Sequence, residues 1–183
     1  SEMRSRTKLL SNRVGTGTQG ARPLRVSSAL FGLLDARGVR HCHWKSNEHL
    51  GDALVGDTDI DLLVDEEQTA RCEEVLTELG YKRYVSQPWL RYPGIEDWFG
   101  FDEETGKLAH IHLHYQTHSG RQYVKEQHLP WEKTVLDGAV KDSRFSAYVT
   151  DPSLEMVLLH IRIALKTGHR QLLWGLLGKP ILP

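Results

Sequence analysis

Asp59-Ile60-Asp61 is the segment of this chain best suited to chemistry. In a strand, residues two apart point to one face. The two carboxylates then stand about 6–7 Å apart along the backbone and repel each other unless water or a cation lies between them. A divalent ion resolves that repulsion, since Mg²⁺ takes oxygen ligands and is held by one or two carboxylates together with substrate phosphates. Taken alone, the pair equally fits a solvated strand edge with two surface acids. Asp57 and Asp65 flank it; Asp65 reads as a helix cap and Asp57 as a turn residue.

Two further groups carry chemical potential. Alternation in Leu108–Gln116 (LAHIHLHYQ) puts His110, His112 and His114 on one strand face and Ile111, Leu113 and Tyr115 on the other. Imidazole binds Zn, Cu or Ni more readily than Mg, and it titrates near neutrality, which suits a general base. His41 and His43 share a face of another short strand and join His110 and His112 if those strands are neighbours. The turn Lys45-Ser46-Asn47 offers a point charge, a hydroxyl and successive backbone N–H groups, and such donors make anion-binding nests. Trp89, Trp98 and Trp131 could stack a base, although aromatic residues more often build cores.

The elements that must position these groups follow from periodicity. A helix is expected over Ala29–Arg37, capped by Ser27 or Ser28 and stopped by Gly38. Val39–Trp44 reads as a short strand, Lys45–Asp57 as a loop and Asp59–Val64 as a strand with an apolar end. Asp65 then caps a helix, with Gln68 as capping-box partner, an apolar face of Cys72, Val75, Leu76 and Leu79, and Gly80 as its stop. Tyr81–Gln87 is a strand, and Glu96–Phe101 pairs with Leu108–Gln116 as a hairpin across Asp102–Lys107. Residues 117–150 are loop-rich, with a strand near Phe145–Val149. Asp151-Pro152 opens a helix with an apolar stripe of Leu154, Val157, Leu158, Ile161 and Leu165, ended by Gly168. This divides the chain into a flexible basic tail (1–24), a core (25–150) and a C-terminal helical segment (151–183). The apolar end of that segment either packs on the core or continues into a further domain.

Composition narrows the class. Lys+Arg 23 against Asp+Glu 24 gives a net charge of -1 over 183 residues, which removes the strong basic signal of a nucleic-acid-coating protein. Cys42 and Cys72 are too few for a disulfide scaffold and fit a reducing, cytoplasmic compartment. No apolar run is long enough to span a membrane.

Trp44-Lys45-Ser46-Asn47 closes the first strand, and Gly56-Asp57-Thr58-Asp59-Ile60-Asp61-Leu62-Leu63-Val64 begins ten residues after Ser46. Together they resemble the nucleotidyltransferase superfamily of the polymerase-beta type, where a Gly-Ser turn and a short spacer precede acid–apolar–acid on a strand. The likeness is closest to a bacterial branch with a His-Trp-Lys-Ser-Asn segment, and it spans residues 27–165. It implies an α+β fold with a mixed, twisted sheet of about five strands and helices mainly on one face. It also implies transfer of a nucleoside monophosphate from a nucleoside triphosphate, ATP or another, to the hydroxyl of a small molecule, a protein or RNA. Asp59, Asp61 and His112 would hold one or two Mg²⁺ or Mn²⁺ ions, stabilising both oxygens of an in-line displacement. Lys45, Ser46 and Asn47 would bind the nucleotide. Two departures stand out. The third acid of the family falls by element order on Leu108–Gln116, where the matching residue is His112, and Lys45 stands where the family has glycine before the serine. Two alternatives therefore stay open: a degenerate member that binds nucleotide or a partner without turnover, and an unrelated hydrolase with a metal held by His110, His112, His114 and His118.

Overall fold

A computed structural model describes residues 22–120 and 127–166. Helix α1 (Arg25–Ala36) buries Leu30, Phe31 and Leu34 on one face. It begins earlier than Ser27 and Ser28 suggest. Neither serine caps it: Ser27 is buried within the helix and the Ser28 hydroxyl turns back to the Leu24 carbonyl at 2.7 Å. The first turn is satisfied from outside, because the Arg25 N–H donates to Asp102 Oδ1 at 2.8 Å, a carboxylate placed where the helix dipole favours negative charge. Strand β1 (His41–His43) follows. The expected loop after it contains a 3₁₀ turn (Asn47–His49) and a short helix, α2 (Leu50–Leu54), which buries Leu50, Ala53 and Leu54 at helical spacing.

Strand β2 (Ile60–Val64) leads through a 3₁₀ turn (Glu66–Gln68) into α3 (Thr69–Glu78). Asp65 accepts from the Glu67 N–H, as a cap should. Gln68 does not close a capping box. Its side chain accepts from the Arg40 N–H at 2.6 Å and donates to the Gly38 carbonyl at 3.1 Å, tying the helix start to the segment entering β1. Cys72, Val75 and Leu76 are buried as the pattern requires. Strand β3 (Lys82–Tyr84) precedes the hairpin of β4 (Ile95–Asp102) and β5 (Lys107–His114). Gly100 lets Tyr81 close over β4, since a Cβ there would lie 2.8 Å from the Tyr81 ring. Residues 117–150 hold more structure than their composition suggests: β6 (His118–Ser119), β7 (Gln127–His128), α4 (Glu132–Asp137), β8 (Val140–Lys141) and β9 (Tyr148–Val149). Helix α5 (Pro152–Lys166) comes last. The basic residues 1–21, Gly168 and the apolar end of the chain lie outside the described residues.

The protein is α+β; the described residues form a mixed seven-stranded sheet in the order β3-β4-β5-β2-β1-β9-β8, a separate β6-β7 pair and five α-helices. The sheet exceeds the expected five strands: β9 falls in the strand expected near Phe145–Val149, and β8, with two residues, is too short to show alternation. β2 runs parallel to β5, and β1 antiparallel to β2. α1 and α3 pack on the face carrying Ile60, Leu62, Ile111 and Leu113. The opposite face is not bare, as helices mainly on one face would leave it. Val135 of α4 and Leu158 of α5 cover Cys42, Trp44 and Leu63 there. Of the α5 stripe, Leu154 and Leu158 turn inward while Val157 is exposed. That cover reaches His114 of β5, buried edge-on to Trp44, and leaves His110 and His112 partly exposed. Among the described residues no helix is long and apolar enough to cross a membrane.

Candidate functional site

Alternation and register build the site. Asp61 is the second residue of β2 and lies beside His112 of β5 in a parallel pair, with Ile60 beside Ile111 and Leu63 beside His114. Parallel partners share a face, so Asp61 stands with His112 and His114 while Ile60 and Leu62 fill the core behind them. Asp59, just before β2, points the same way and contacts His110 and His112. On the far side of β5 the hairpin register sets Asp97 opposite His112 and Phe99 opposite His110.

The contacts are short and mostly ionic. His110 Nδ1 lies 2.7 Å from Asp59 Oδ1, and its Nε2 lies 3.0 Å from Asp97 Oδ1. A carboxylate oxygen only accepts, so both ring nitrogens must donate and His110 is an imidazolium here. Burial opposes that charge, but the two carboxylates outweigh it and lift the His110 pKa to about 9. His112 is bracketed in the same way, with Nδ1 3.5 Å from Asp61 and 3.7 Å from Asp59, and Nε2 3.2 Å from Asp97. Burial again lowers its pKa less than Asp61 and Asp97 raise it. Hydrogen bonds from His110 and His112 hold Asp97 well below the usual carboxylate range. Phe99 stacks on His110 with centroids 4.2 Å apart and planes 10° apart, fixing the ring.

Asp61 is the buried member, its side chain 16 % exposed against 46 % for Asp59. Desolvation would raise its pKa, yet the Lys45 ammonium at 2.7 Å and hydrogen bonds from His112 and His114 depress it well below the ordinary value. Lys45 also meets the fully buried His114 ring at 3.5 Å and lies over Trp44.

The turn after β1 has an uncommon backbone. Ser46 sits at φ 59°, ψ 50°, a left-handed conformation that costs a non-glycine residue about 1–2 kcal/mol. This is the position preceding which the resemblance expects glycine. Lys45 and Ser46 line a pocket of about 160 Å³ with His43, His49, Thr58, Asp59 and Asp61. Asn47 does not line it. Its N–H donates to Glu155 Oε1 of α5 at 2.6 Å, and its side-chain amide donates to the Thr150 carbonyl at 2.9 Å. A larger groove of about 520 Å³ runs along Arg83, Tyr84, Arg91 and Tyr92 and reaches Asp97 and His112. The two cavities thus flank the acid–imidazole cluster.

Other sequence candidates lie elsewhere. His41 and His43 pair with Val64 and Leu62, and β2 separates β1 from β5; His41 stands away from the cluster, whereas His43 borders the pocket of Asp59 and Asp61. His118 belongs to the β6-β7 pair, where it stacks on His128. Trp98 is in the first core cluster and Trp131 packs against the second, while Trp89 is exposed. Sequence reasoning missed Asp97 and His49. Asp97 was within reach: setting Asp102 against Lys107 across the hairpin turn counts Asp97 onto His112. Comparison with known protein families, with curated proteins and with solved structures finds no match for this chain.

Proposed function

We propose that this chain is a metal-dependent nucleotidyltransferase, moving a nucleoside monophosphate from a nucleoside triphosphate to an acceptor hydroxyl. The observation that carries this reading is the placement of Asp59 and Asp61 in one pocket with Lys45 and Ser46, on the strand that follows the strained turn. Backbone strain of that kind concentrates at ligand sites. The donor set fits a divalent cation: carboxylates of Asp59 and Asp61 on one strand face, with His112 Nδ1 within 3.7 Å of both. Bound there, Mg²⁺ or Mn²⁺ would neutralise phosphate charge and stabilise attacking and leaving oxygens.

The chain's own residues supply the rest. Lys45 is the cation beside the phosphate pocket, and a polyphosphate offers its ammonium an alternative to Asp61. Ser46 adds a hydroxyl. Asn47 supports the turn from behind, through Glu155 and Thr150, rather than touching the nucleotide. The acceptor enters by the 520 Å³ groove, so its hydroxyl meets the cluster at His112 and Asp97. Transfers of this kind depend mainly on positioning and charge neutralisation, and cavities on either side of a charged cluster provide both.

The test is transfer of label from α-³²P nucleoside triphosphates with Mg²⁺ or Mn²⁺, across candidate acceptors and cell extracts. The wild-type chain should transfer label, and Asp59→Asn or Asp61→Asn should lose about 1,000-fold, the several kcal/mol that metal charge stabilisation supplies. Equal transfer by both variants would defeat the reading. A protein that binds nucleotide without turnover is the second reading, favoured by His112 in the place of a third acid and by the engaged Asn47 amide. Calorimetry that detects nucleotide binding with no label transfer would select it.

A further inference from the structure

We infer that Asp59, His110 and His112 form a site for one divalent transition-metal ion of the Zn²⁺ class, with Asp97 as the positioning residue that aims both imidazoles. This revises the metal of the reading above, giving Asp59 and His112 to a Zn²⁺-class ion in place of Mg²⁺ or Mn²⁺, and it stands whether or not a nucleotide is turned over.

One ligand atom from each of the three residues lies within 4.8 Å of the other two. His110 Nδ1 is 2.7 Å from Asp59 Oδ1 and His112 Nδ1 is 3.7 Å from Asp59 Oδ2. Ligands around a tetrahedral ion at about 2.0–2.2 Å are about 3.3 Å apart, so small side-chain adjustments admit the ion. A pair of imidazoles and one carboxylate leaves coordination positions open for water or a phosphate oxygen. Imidazole nitrogen favours Zn²⁺ and its transition-metal neighbours over Mg²⁺, which prefers an all-oxygen octahedron.

The remaining ring nitrogens decide the matter. Both Nε2 atoms face Asp97 Oδ1, at 3.0 Å from His110 and 3.2 Å from His112. Asp97 only accepts, so it selects the Nε2–H form of each ring, leaving His110 Nδ1 turned toward Asp59 and His112 Nδ1 between Asp59 and Asp61, at 3.7 and 3.5 Å. Metal-binding histidines almost always donate their other N–H to such a partner. Here one carboxylate serves two of them, and strand register holds Asp97 in place opposite His112. When the ion enters, the proton on His110 Nδ1 leaves to solvent and the Nε2–H bond to Asp97 is kept. The neighbouring group of Asp61, His112 and His114 competes poorly, because the Lys45 ammonium lies 2.7 Å from Asp61. Asp59 is also the more exposed acid, which gives the ion a way in.

The test uses chelator-treated full-length chain without nucleotide. Zn²⁺ binding is measured against a chromophoric chelator in a large excess of Mg²⁺, and Co²⁺ is used as a visible spectroscopic probe. One Zn²⁺ per chain should bind despite the Mg²⁺. His110→Ala and His112→Ala should each weaken it at least about 100-fold, and Asp97→Asn about 10–100-fold. Asp97→Asn should also shift the Co²⁺ absorption, and Asp97→Glu should restore it. His128→Ala, in the β6-β7 pair where that ring stacks on His118, should change nothing. Displacement of Zn²⁺ by Mg²⁺ at similar concentrations, or undiminished binding in both histidine variants with far-UV circular dichroism intact, would overturn the metal site. An unchanged affinity and Co²⁺ spectrum in Asp97→Asn would overturn the role of Asp97. Failure of label transfer with Zn²⁺ still bound would defeat only the enzymatic reading.

Discussion

Two strands of one sheet carry histidines at alternate positions, and the sheet gives them opposite electrostatic states. On β1, His41 and His43 pair with Val64 and Leu62, and burial dominates at both even though His43 borders the pocket of Asp59 and Asp61. Burial pushes both pKa values down, and His41 Nδ1 donates to the Val39 carbonyl at 2.8 Å, as a neutral ring can. On β5, His110 and His112 meet Asp59, Asp61 and Asp97, and their pKa values rise despite partial burial. β2 lies between the two strands and decides the difference. Its alternate residues give β1 leucine and valine on one side of the sheet and give β5 aspartate on the other. A one-residue shift in β2 would exchange those faces.

The largest break in that contrast should come from Asp61→Ala. It removes the carboxylate that lies 2.7 Å from the Lys45 ammonium, 13 % exposed, and 3.3 Å from the buried His114 ring. Removing one partner of a buried ion pair costs about 3–5 kcal/mol, and urea unfolding should show a midpoint lowered accordingly. His110→Leu should cost less, about 1–2 kcal/mol. That is the lower part of the range for charge-assisted hydrogen bonds, because solvent screens the half-exposed Asp59. On the neutral strand, His43→Leu should move stability by less than about 1 kcal/mol, since it exchanges a buried neutral ring for an apolar side chain of lower polarity. A loss there as large as for His110 would erase the distinction between the strands.

Acid and base should separate the strands in sign. His110 is raised to about 9, so in ion-free protein its contribution is complete below the unfolded value near 6.5 and is lost as pH rises to 9. His41 is lowered, so its contribution is present above 6.5 and is lost as pH falls below that value. Imidazole NMR titration of the chelator-treated chain should find the two rings moving on opposite sides of 6.5. His110→Leu should flatten the alkaline limb of stability and leave the acid limb. The smallest effect belongs to Ser46→Gly, which relieves a left-handed serine and should leave stability unchanged or raise it by up to about 1 kcal/mol. If Ser46 serves phosphate, calorimetry should show weaker nucleotide binding in the same variant.

Strong local patterns carried much of this in advance. The apolar face of α3, the alternation of β2 and the β4-β5 hairpin appear at about their expected bounds. The helix start at Arg25 did not, because its anchor is Asp102, 77 residues away. α2 was hidden by Gly51 within it and Gly56 just after it, and β8 by its two-residue length. The candidate site was half legible. Asp59, Asp61 and the His110, His112 and His114 ladder were visible as types at spacing two. Asp97 was legible only through the hairpin register, because its importance comes from the strand it faces.

The sequence by itself determined which side chains share a face within each strand, since alternation is a property of the extended backbone and needs no partner. Only the tertiary structure decided that β5 lies beside β2, that Asp61 meets His112, that Lys45 folds onto Asp61, and that His41 turns away. Those pairings are set by burying two apolar faces of one sheet at once, a condition on distant segments that no local pattern expresses.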